Sequence, residues 1–299
     1  MEENPVVLSV VIPTYNTASM TLRCVRAIEG ADEIIVVDDG STDDTEAVLS
    51  PVARVVSLEK NSGFAVAANR GVAEARGDLI LLLNSDAVVE AGALRALIAA
   101  FEADPKLGVA GAQLVNEDGT NQWSGGRTPT LPWMIGVVSG AGRLLGASVW
   151  RRQSCRRPDS PAGLPAPHRT TTIDWVSGAA MMFRREVWQP LDERYLFYCQ
   201  DIDFCLDARN AGWHVRIVDD ARVAHGLGRT VSSRRELSYD PARLWPDLLM
   251  WGRKYYGESW AARARMVLVA VATLRVVWRK LRLKNAEPFV NGLKALRRS

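Results

Sequence analysis

The stretch LILLLNSD, residues 79–86, sets five hydrophobic residues in a row, then turns polar and ends on Asp86. A run this short and this evenly apolar predicts a strand. A carboxylate at the end of such a strand is poorly placed unless it meets a cation or a helix terminus. Asp86 is therefore the first residue to which chemistry can be assigned.

The sequence on either side repeats the design. Leu8–Ile12, Ile34–Val37, Val55–Leu58 and Val109–Leu114 predict further strands, while Met20–Glu29, Thr42–Leu49, Ala65–Ala75 and Ala91–Ala103 have helical spacing,. Alternating βα units build a mostly parallel sheet flanked by helices, an α/β class. Gly30 and Gly77 stand where helix stops belong,. From Asn116 to Thr172 the pattern weakens into a loop-like stretch with Gly125-Gly126, several prolines and the basic run Trp150–Arg157,. Pattern returns over Ile173–Arg184, in a helix over Ile202–Ala211 that Gly212 stops, and in the strand-like His214–Val218 and the residues up to Val223. A polar linker follows Arg229, and a helical tail follows Pro241.

In parallel sheets ligands gather at the carboxyl ends of the strands. Three such ends are polar here: Pro13-Thr14-Tyr15-Asn16, Asp38 to Asp43, and Asn84-Ser85-Asp86. Taken singly, the first two have structural explanations, since Asp39-Gly40 makes a turn and Ser41, Thr42 or Asp43 can cap a helix.

In order and spacing, VSVVIPTYN, EIIVVDDGSTDDT, NSGFAVAANRG and LILLLNSD together resemble the nucleotide-binding half of glycosyltransferase family 2, enzymes of the GT-A, Rossmann-like fold. The second-half segments WVSGAAMMFRREVW, from Trp175, and LFYCQDIDFCLDARNAGW, from Leu196, also match that family and look most like its bacterial rhamnosyltransferase branch. The resemblance implies a catalytic domain over 5–230, with a nucleotide-binding half at 5–115 and an acceptor half at 116–230, followed by a linker and basic tail over 231–299. It further implies that Pro13, Tyr15 and Asp39 line the base and ribose pocket with Asp38 nearby, that Gly63 and Asn69 frame the nucleotide, and that Ser85 belongs with them. Trp175, Gly178 and Ala179 would lie beside the transferred sugar and the acceptor. Asp86 corresponds to the last carboxylate of the family's D-x-D motif, Asp201 to the second acid of its E-D pair, the catalytic base, and His225, in VAHGLG, to a histidine that reaches the metal or diphosphate. The implied activity is inverting transfer of a sugar, rhamnose from dTDP-rhamnose, to a hydroxyl of a glycan or lipid-linked glycan, with Mg²⁺ or Mn²⁺ as cofactor.

Displacement at an anomeric carbon needs charge stabilisation on the leaving diphosphate and a carboxylate on the opposite face to take the acceptor proton. Two departures bear on this. Asn84 stands where the first aspartate of D-x-D would be, leaving one strong metal-binding oxygen donor in the triplet, which suffices where phosphates and waters complete an octahedron. Gln200 replaces the glutamate beside Asp201, and losing that negative neighbour would lower the pKa of the base; Asp203 is a possible stand-in on a different face of the helix. His168 and His214 read as structural histidines.

The charge is unevenly spread. Residues 243–299 hold 13 Lys or Arg against 3 Asp or Glu, whereas the first 242 hold 24 against 31. A basic tail on an acidic body suggests an anionic partner. Arg275, Arg279 and Arg282 fall on one helical stripe, with Val276, Val277, Trp278, Leu281 and Leu283 off it, the arrangement of a helix lying on an anionic membrane surface,; the competing reading packs this helix on the catalytic domain. Met266–Leu274 is far short of the ~20 apolar residues that span a bilayer. Cys24, Cys155, Cys199 and Cys205 lack disulfide or zinc spacing, and the acidic start is unlike a signal peptide, so the expected location is the cytoplasm, peripheral to the inner face of the membrane,. Two other readings stand against this one. A polyprenyl-phosphate acceptor would need no base, and nucleic-acid binding through the tail has no recognisable module behind it.

Overall fold

The computed structural model describes residues 7–139, 173–226 and 240–298. Its centre is an eight-stranded sheet in the order β3-β2-β1-β4-β9-β6-β10-β5. The strands are β1 (Leu8–Thr14), β2 (Glu33–Asp38), β3 (Arg54–Ser57), β4 (Leu79–Leu83), β5 (Ala87–Val89), β6 (Leu107–Val115), β9 (Ala180–Arg184) and β10 (His214–His225). β7 (Gly125–Gly126) and β8 (Trp175–Val176) pair separately. β3, β2, β1 and β4 run parallel, as do β6 and β10, and β9 lies antiparallel between the two blocks. The mostly parallel sheet expected from the sequence thus has two reversed strands, β5 at its edge and β9 inside it, and the amino end of β9 lies at the same edge as the carboxyl ends of its neighbours.

All five residues of β4 are buried, as its unbroken apolar run requires. Helices α1 (Ala18–Arg26), α2 (Thr45–Leu49), α3 (Phe64–Glu74) and α4 (Ala93–Ala103) connect the first strands. They divide the apolar side chains into two clusters, one on each face of the sheet. Gly77 is no helix stop: α3 ends at Glu74, and a Cβ on Gly77 would come 2.6 Å from the main-chain nitrogen of Ser9, so the residue is small because the chain crosses β1 there. The strand-like His214–Val218 runs on to His225 across a register irregularity between Val218 and Arg222. Between Asn116 and Thr172, where the sequence shows little pattern, the described part contains β7 and α5 (Leu131–Ser139).

After α6 (Gln200–Asn210), the tail forms α7 (Pro241–Tyr256), α8 (Glu258–Leu281) and α9 (Glu287–Leu296). Trp245, Leu248, Trp251, Leu268 and Phe289 from these helices belong to the same buried cluster as Val11, Ile80 and Phe183 of the sheet. The expected arginine stripe is reversed. Arg279 is buried, donates to the Asn285 carbonyl and faces the Phe289 ring, and Arg275 donates to the Val138 carbonyl at 2.8 Å. The outer face of α8 instead carries Met266, Leu274, Val277, Trp278 and Leu281. The helix packs on the catalytic domain, as the competing reading has it, but Arg275 and Arg279 are engaged in that packing where that reading left the arginines solvated.

Candidate active site

Sheet register brings Asp86 and His225 together. β5 follows Asp86 directly and pairs antiparallel with β10, setting Ala87 opposite His225, and the Gly226 N–H donates to the Asp86 carbonyl. As a result His225 Nε2 lies 3.3 Å from Asp86 Oδ1 and 3.1 Å from Asn84 Nδ2. Both carboxylate oxygens of Asp86 are buried without a hydrogen-bond donor.

The tautomer of His225 follows from Gln122. The Gln122 amide nitrogen donates to the carbonyls of His225 (2.6 Å) and Val115 (3.3 Å) and to Asn116 Oδ1 (2.9 Å), so its oxygen is the atom 3.2 Å from His225 Nδ1. Nδ1 then carries the proton, and Nε2 turns a lone pair toward Asp86. Two electron-rich atoms with no proton between them fit a cation. One carboxylate and one imidazole suit Mn²⁺ or Mg²⁺ when phosphate and water oxygens fill the other positions. Among the described residues no group of three His, Cys, Asp or Glu side chains comes together to hold a metal ion.

Gly178, Ala179 and Asp201 meet the same edge. The Asn84 N–H donates to the Ala179 carbonyl at 3.0 Å, and the next residue back, Gly178, donates its N–H to Asp201 Oδ2 at 3.1 Å. A single turn at the start of β9 therefore links the Asp86 triplet to Asp201. Burial raises the Asp201 pKa above the ordinary carboxylate value, against the opposing N–H groups of Gly178 and Ile202. The lower pKa expected from Gln200 is overturned: removing a negative neighbour matters less than removing water. Asp203 is no stand-in, because both its oxygens are bound by Lys254 at 2.9 and 3.0 Å.

On the nucleotide side, Pro13 and Thr14 end β1 and Tyr15 projects, 43% exposed. Asp38 accepts from the Ser41 N–H at 3.0 Å. Asp39 receives the N–H groups of Ser62 (2.7 Å) and Gly63 (2.8 Å), shaping the turn into α3, where Gly63 has φ +99°. Ser85 is buried and accepts from Thr17 at 3.4 Å. Asn69 is occupied elsewhere: its amide binds the main chain of Leu191 on both sides and Glu193, tying α3 to the acceptor half. Trp175 is nearly buried, with its indole N–H on the Arg127 carbonyl. The accessible aromatic surface beside it belongs to Trp123, 42% exposed, whose ring centroid is 5.2 Å away. Gln122 and Trp123 escaped the sequence reading because they lie in its patternless stretch. His214 pairs with Asp104 at the surface, while His168, Cys155 and the basic run Trp150–Arg157 lie outside the described residues.

The family model for glycosyl transferase family 2 matches residues 9–191. The chain belongs to that family. It is a glycosyltransferase. An N-acetylglucosaminyl-diphospho-decaprenol L-rhamnosyltransferase of Mycobacterium tuberculosis is 28% identical over 252 residues, covering 76% of this chain and 80% of the relative. Among solved structures, the Pyrobaculum calidifontis mannosyltransferase in complex with GDP-Man and Mn²⁺ shares the fold at a TM-score of 0.54 and 16% identity, over 98% of this chain and 85% of that one. Glucosyl-3-phosphoglycerate synthase of Mycobacterium tuberculosis, in complex with Mg²⁺ and uridine diphosphate, does so at 0.54 and 19%, over 83% and 79%. These likenesses establish the GT-A fold with its helical extension for this family member.

Proposed function

We propose that this glycosyltransferase moves rhamnose from dTDP-rhamnose, with inversion, to a hydroxyl of a lipid-linked glycan such as N-acetylglucosaminyl-diphospho-polyprenol. The rhamnosyltransferase relative supports the substrates. The observation that supports the chemistry is the Gly178–Ala179 turn, which joins the adjacent Asp86 and His225 on one side to Asp201 on the other.

In this reading Asp86 and His225 hold Mn²⁺ or Mg²⁺, which when bound would stabilise charge on the departing diphosphate by several kcal/mol. Asp38, Asp39, Tyr15, Pro13, Gly63 and Ser85 receive the nucleoside, with Asn69 bracing them from behind. Asp201 takes the proton of the acceptor hydroxyl, a contribution of roughly 10²- to 10⁴-fold in rate. Trp123, packed on Trp175, offers an exposed ring face to the acceptor sugar. A polyprenyl-phosphate acceptor, whose oxygen is already ionised, would leave Asp201 without work.

A lipid-linked acceptor places the enzyme on a membrane surface, at its cytoplasmic face. No helix among the described residues is long and apolar enough to cross a bilayer. The exposed apolar face of α8 supports shallow insertion, and Lys280, Arg282 and Lys284, exposed at its end, suit anionic headgroups at about 1 kcal/mol each,.

A panel of UDP-, dTDP- and GDP-sugars, with and without Mn²⁺ or Mg²⁺, tests the donor and the metal. The expected result is metal-dependent turnover of dTDP-rhamnose in the presence of N-acetylglucosaminyl-diphospho-polyprenol. Turnover of a different donor would replace rhamnose, and metal-independent transfer would remove the cation from the mechanism.

A further inference from the structure

The tail contains three acidic residues among its many cations, and one of them, Asp247 on α7, is 2% exposed amid Trp245, Leu248, Leu249 and Trp251. Its carboxylate receives three successive main-chain N–H groups, those of Leu196 (2.8 Å, to Oδ1), Phe197 (2.9 Å) and Tyr198 (2.7 Å, both to Oδ2). Converging N–H groups of this kind form an anion-binding nest, and here the anion comes from the protein's own tail.

The nest stands three residues before Asp201. Cys199, next in the chain, takes φ +66°, a left-handed conformation that costs a non-glycine residue of the order of 1–3 kcal/mol and persists only where the surroundings enforce it,. Gln200 then opens α6, and Asp201 follows. The start of α7 grips the same turn a second time, the Asp240 N–H donating to the Tyr198 hydroxyl at 3.0 Å. Farther along, Lys254 binds Asp203 and Asp207, and the Tyr255 hydroxyl donates to Asp207 at 2.7 Å, fastening α6 beyond the base.

We propose that Asp247 is a positioning residue for sugar transfer: by clamping the 196–198 turn it sets the orientation of Asp201, which makes α7 part of the catalytic apparatus. This rests on the reading of Asp201 as base. A reacting group displaced by ~1 Å can cost about 10² in rate, so a turn whose left-handed residue is enforced by another helix is a sensitive control point. Burial raises the Asp247 pKa while the three N–H groups oppose it, so the group remains held where a carboxylate would otherwise be expensive,.

The test measures transfer from dTDP-rhamnose to N-acetylglucosaminyl-diphospho-polyprenol. Asp247→Asn replaces an acceptor with a donor that faces an N–H, and kcat is expected to fall by roughly 10- to 100-fold with the donor KM within about threefold. The double variant Asp201→Asn/Asp247→Asn is expected to lose no more than about threefold beyond Asp201→Asn alone, since one residue acts through the other. Asp247→Glu retains the charge and serves if the amide variant does not fold, with a smaller kcat loss and faster hydrogen exchange at amides 196–198. Wild-type kcat in the Asp247 variants, or losses that multiply with that of Asp201→Asn, overturn the proposal. Wild-type turnover in Asp201→Asn overturns the base assignment itself, an outcome read independently of Asp247.

Discussion

The side-chain oxygen of Gln122 lies 3.2 Å from Nδ1 of His225, a contact made across 103 residues of sequence. Because three acceptors hold the Gln122 nitrogen, the amide cannot turn, and the imidazole is kept with its Nε2 lone pair toward Asp86. Residues that orient a metal-binding histidine from behind are typically worth 10- to 100-fold in metal affinity or activity. Gln122→Leu is expected to raise the Mn²⁺ concentration for half-maximal turnover by that factor and to recover much of kcat at saturating metal. An unchanged metal titration would show that the tautomer is set by something other than Gln122.

Asp201 supplies a pH signature. Burial raises its pKa, and the proposed role as base requires the ionised form, so activity is expected to fall as pH drops through a value above the ~3.9 of an ordinary aspartate,. The acid limb of the kcat profile should vanish in Asp201→Asn, together with roughly 10² to 10⁴ of the rate. Stability moves the other way. An acid whose folded pKa exceeds its unfolded one binds more protons when folded, so it subtracts stability as pH rises between the two values and keeps subtracting above them. Asp201→Asn is therefore expected to melt at a higher temperature than the wild type at neutral pH while being nearly inactive, and a lower midpoint would contradict the burial account.

Gly178 tests the turn between the two halves of the site. A Cβ there would stand 3.6 Å from Asp201 Cβ and 4.0 Å from Oδ2, ordinary contact distances, and the residue does not require a left-handed backbone. Gly178→Ala should fold with a midpoint close to wild type, yet its methyl group shields the carboxylate from an acceptor hydroxyl. The expected outcome is a loss of transfer of about tenfold or more with donor binding retained, from the cost of a misplaced reactive group. Equal losses in nucleotide binding and transfer would put Gly178 elsewhere in the mechanism.

How much of this was legible beforehand depends on the range of the interaction. β4 could be delimited from Leu79–Leu83 alone because every residue in it is buried, and the polar ends of β1, β2 and β4 converge because those strands are parallel. Asp86 and His225 were legible singly, but their meeting depends on the β5–β10 register, which no local pattern encodes. Gln122 and Trp123 had no periodic element around them to mark them out. Asp247 did leave a trace, a lone acid among large apolar residues in a basic tail, whose meaning required knowing that α7 packs beside residues 196–198. The Asp201 pKa was misjudged because sequence shows charged neighbours and hides desolvation.

The tail shows how a stripe of charge can mislead. Arg275, Arg279 and Arg282 share a helical side, as the sequence suggests, yet Arg275 and Arg279 face the protein and stack on Phe289, leaving a side of α8 with Leu274 at 70% and Leu281 at 79% exposure. Membrane association by this helix would accordingly depend on apolar insertion, with Lys280, Arg282 and Lys284 contributing at the rim. Burying one leucine is worth about 1.5–3 kcal/mol, so Leu281→Glu or Leu274→Glu should lower partitioning onto phosphatidylglycerol-containing vesicles by roughly tenfold or more in flotation, with the melting temperature unchanged. Arg279→Ala breaks buried contacts and is expected to cost about 1–3 kcal/mol of stability while changing vesicle binding little. If instead Arg279→Ala releases the protein from vesicles and the leucine variants stay bound, the helix meets lipid through its arginines, and the orientation of α8 against the sheet domain would have to differ on the membrane.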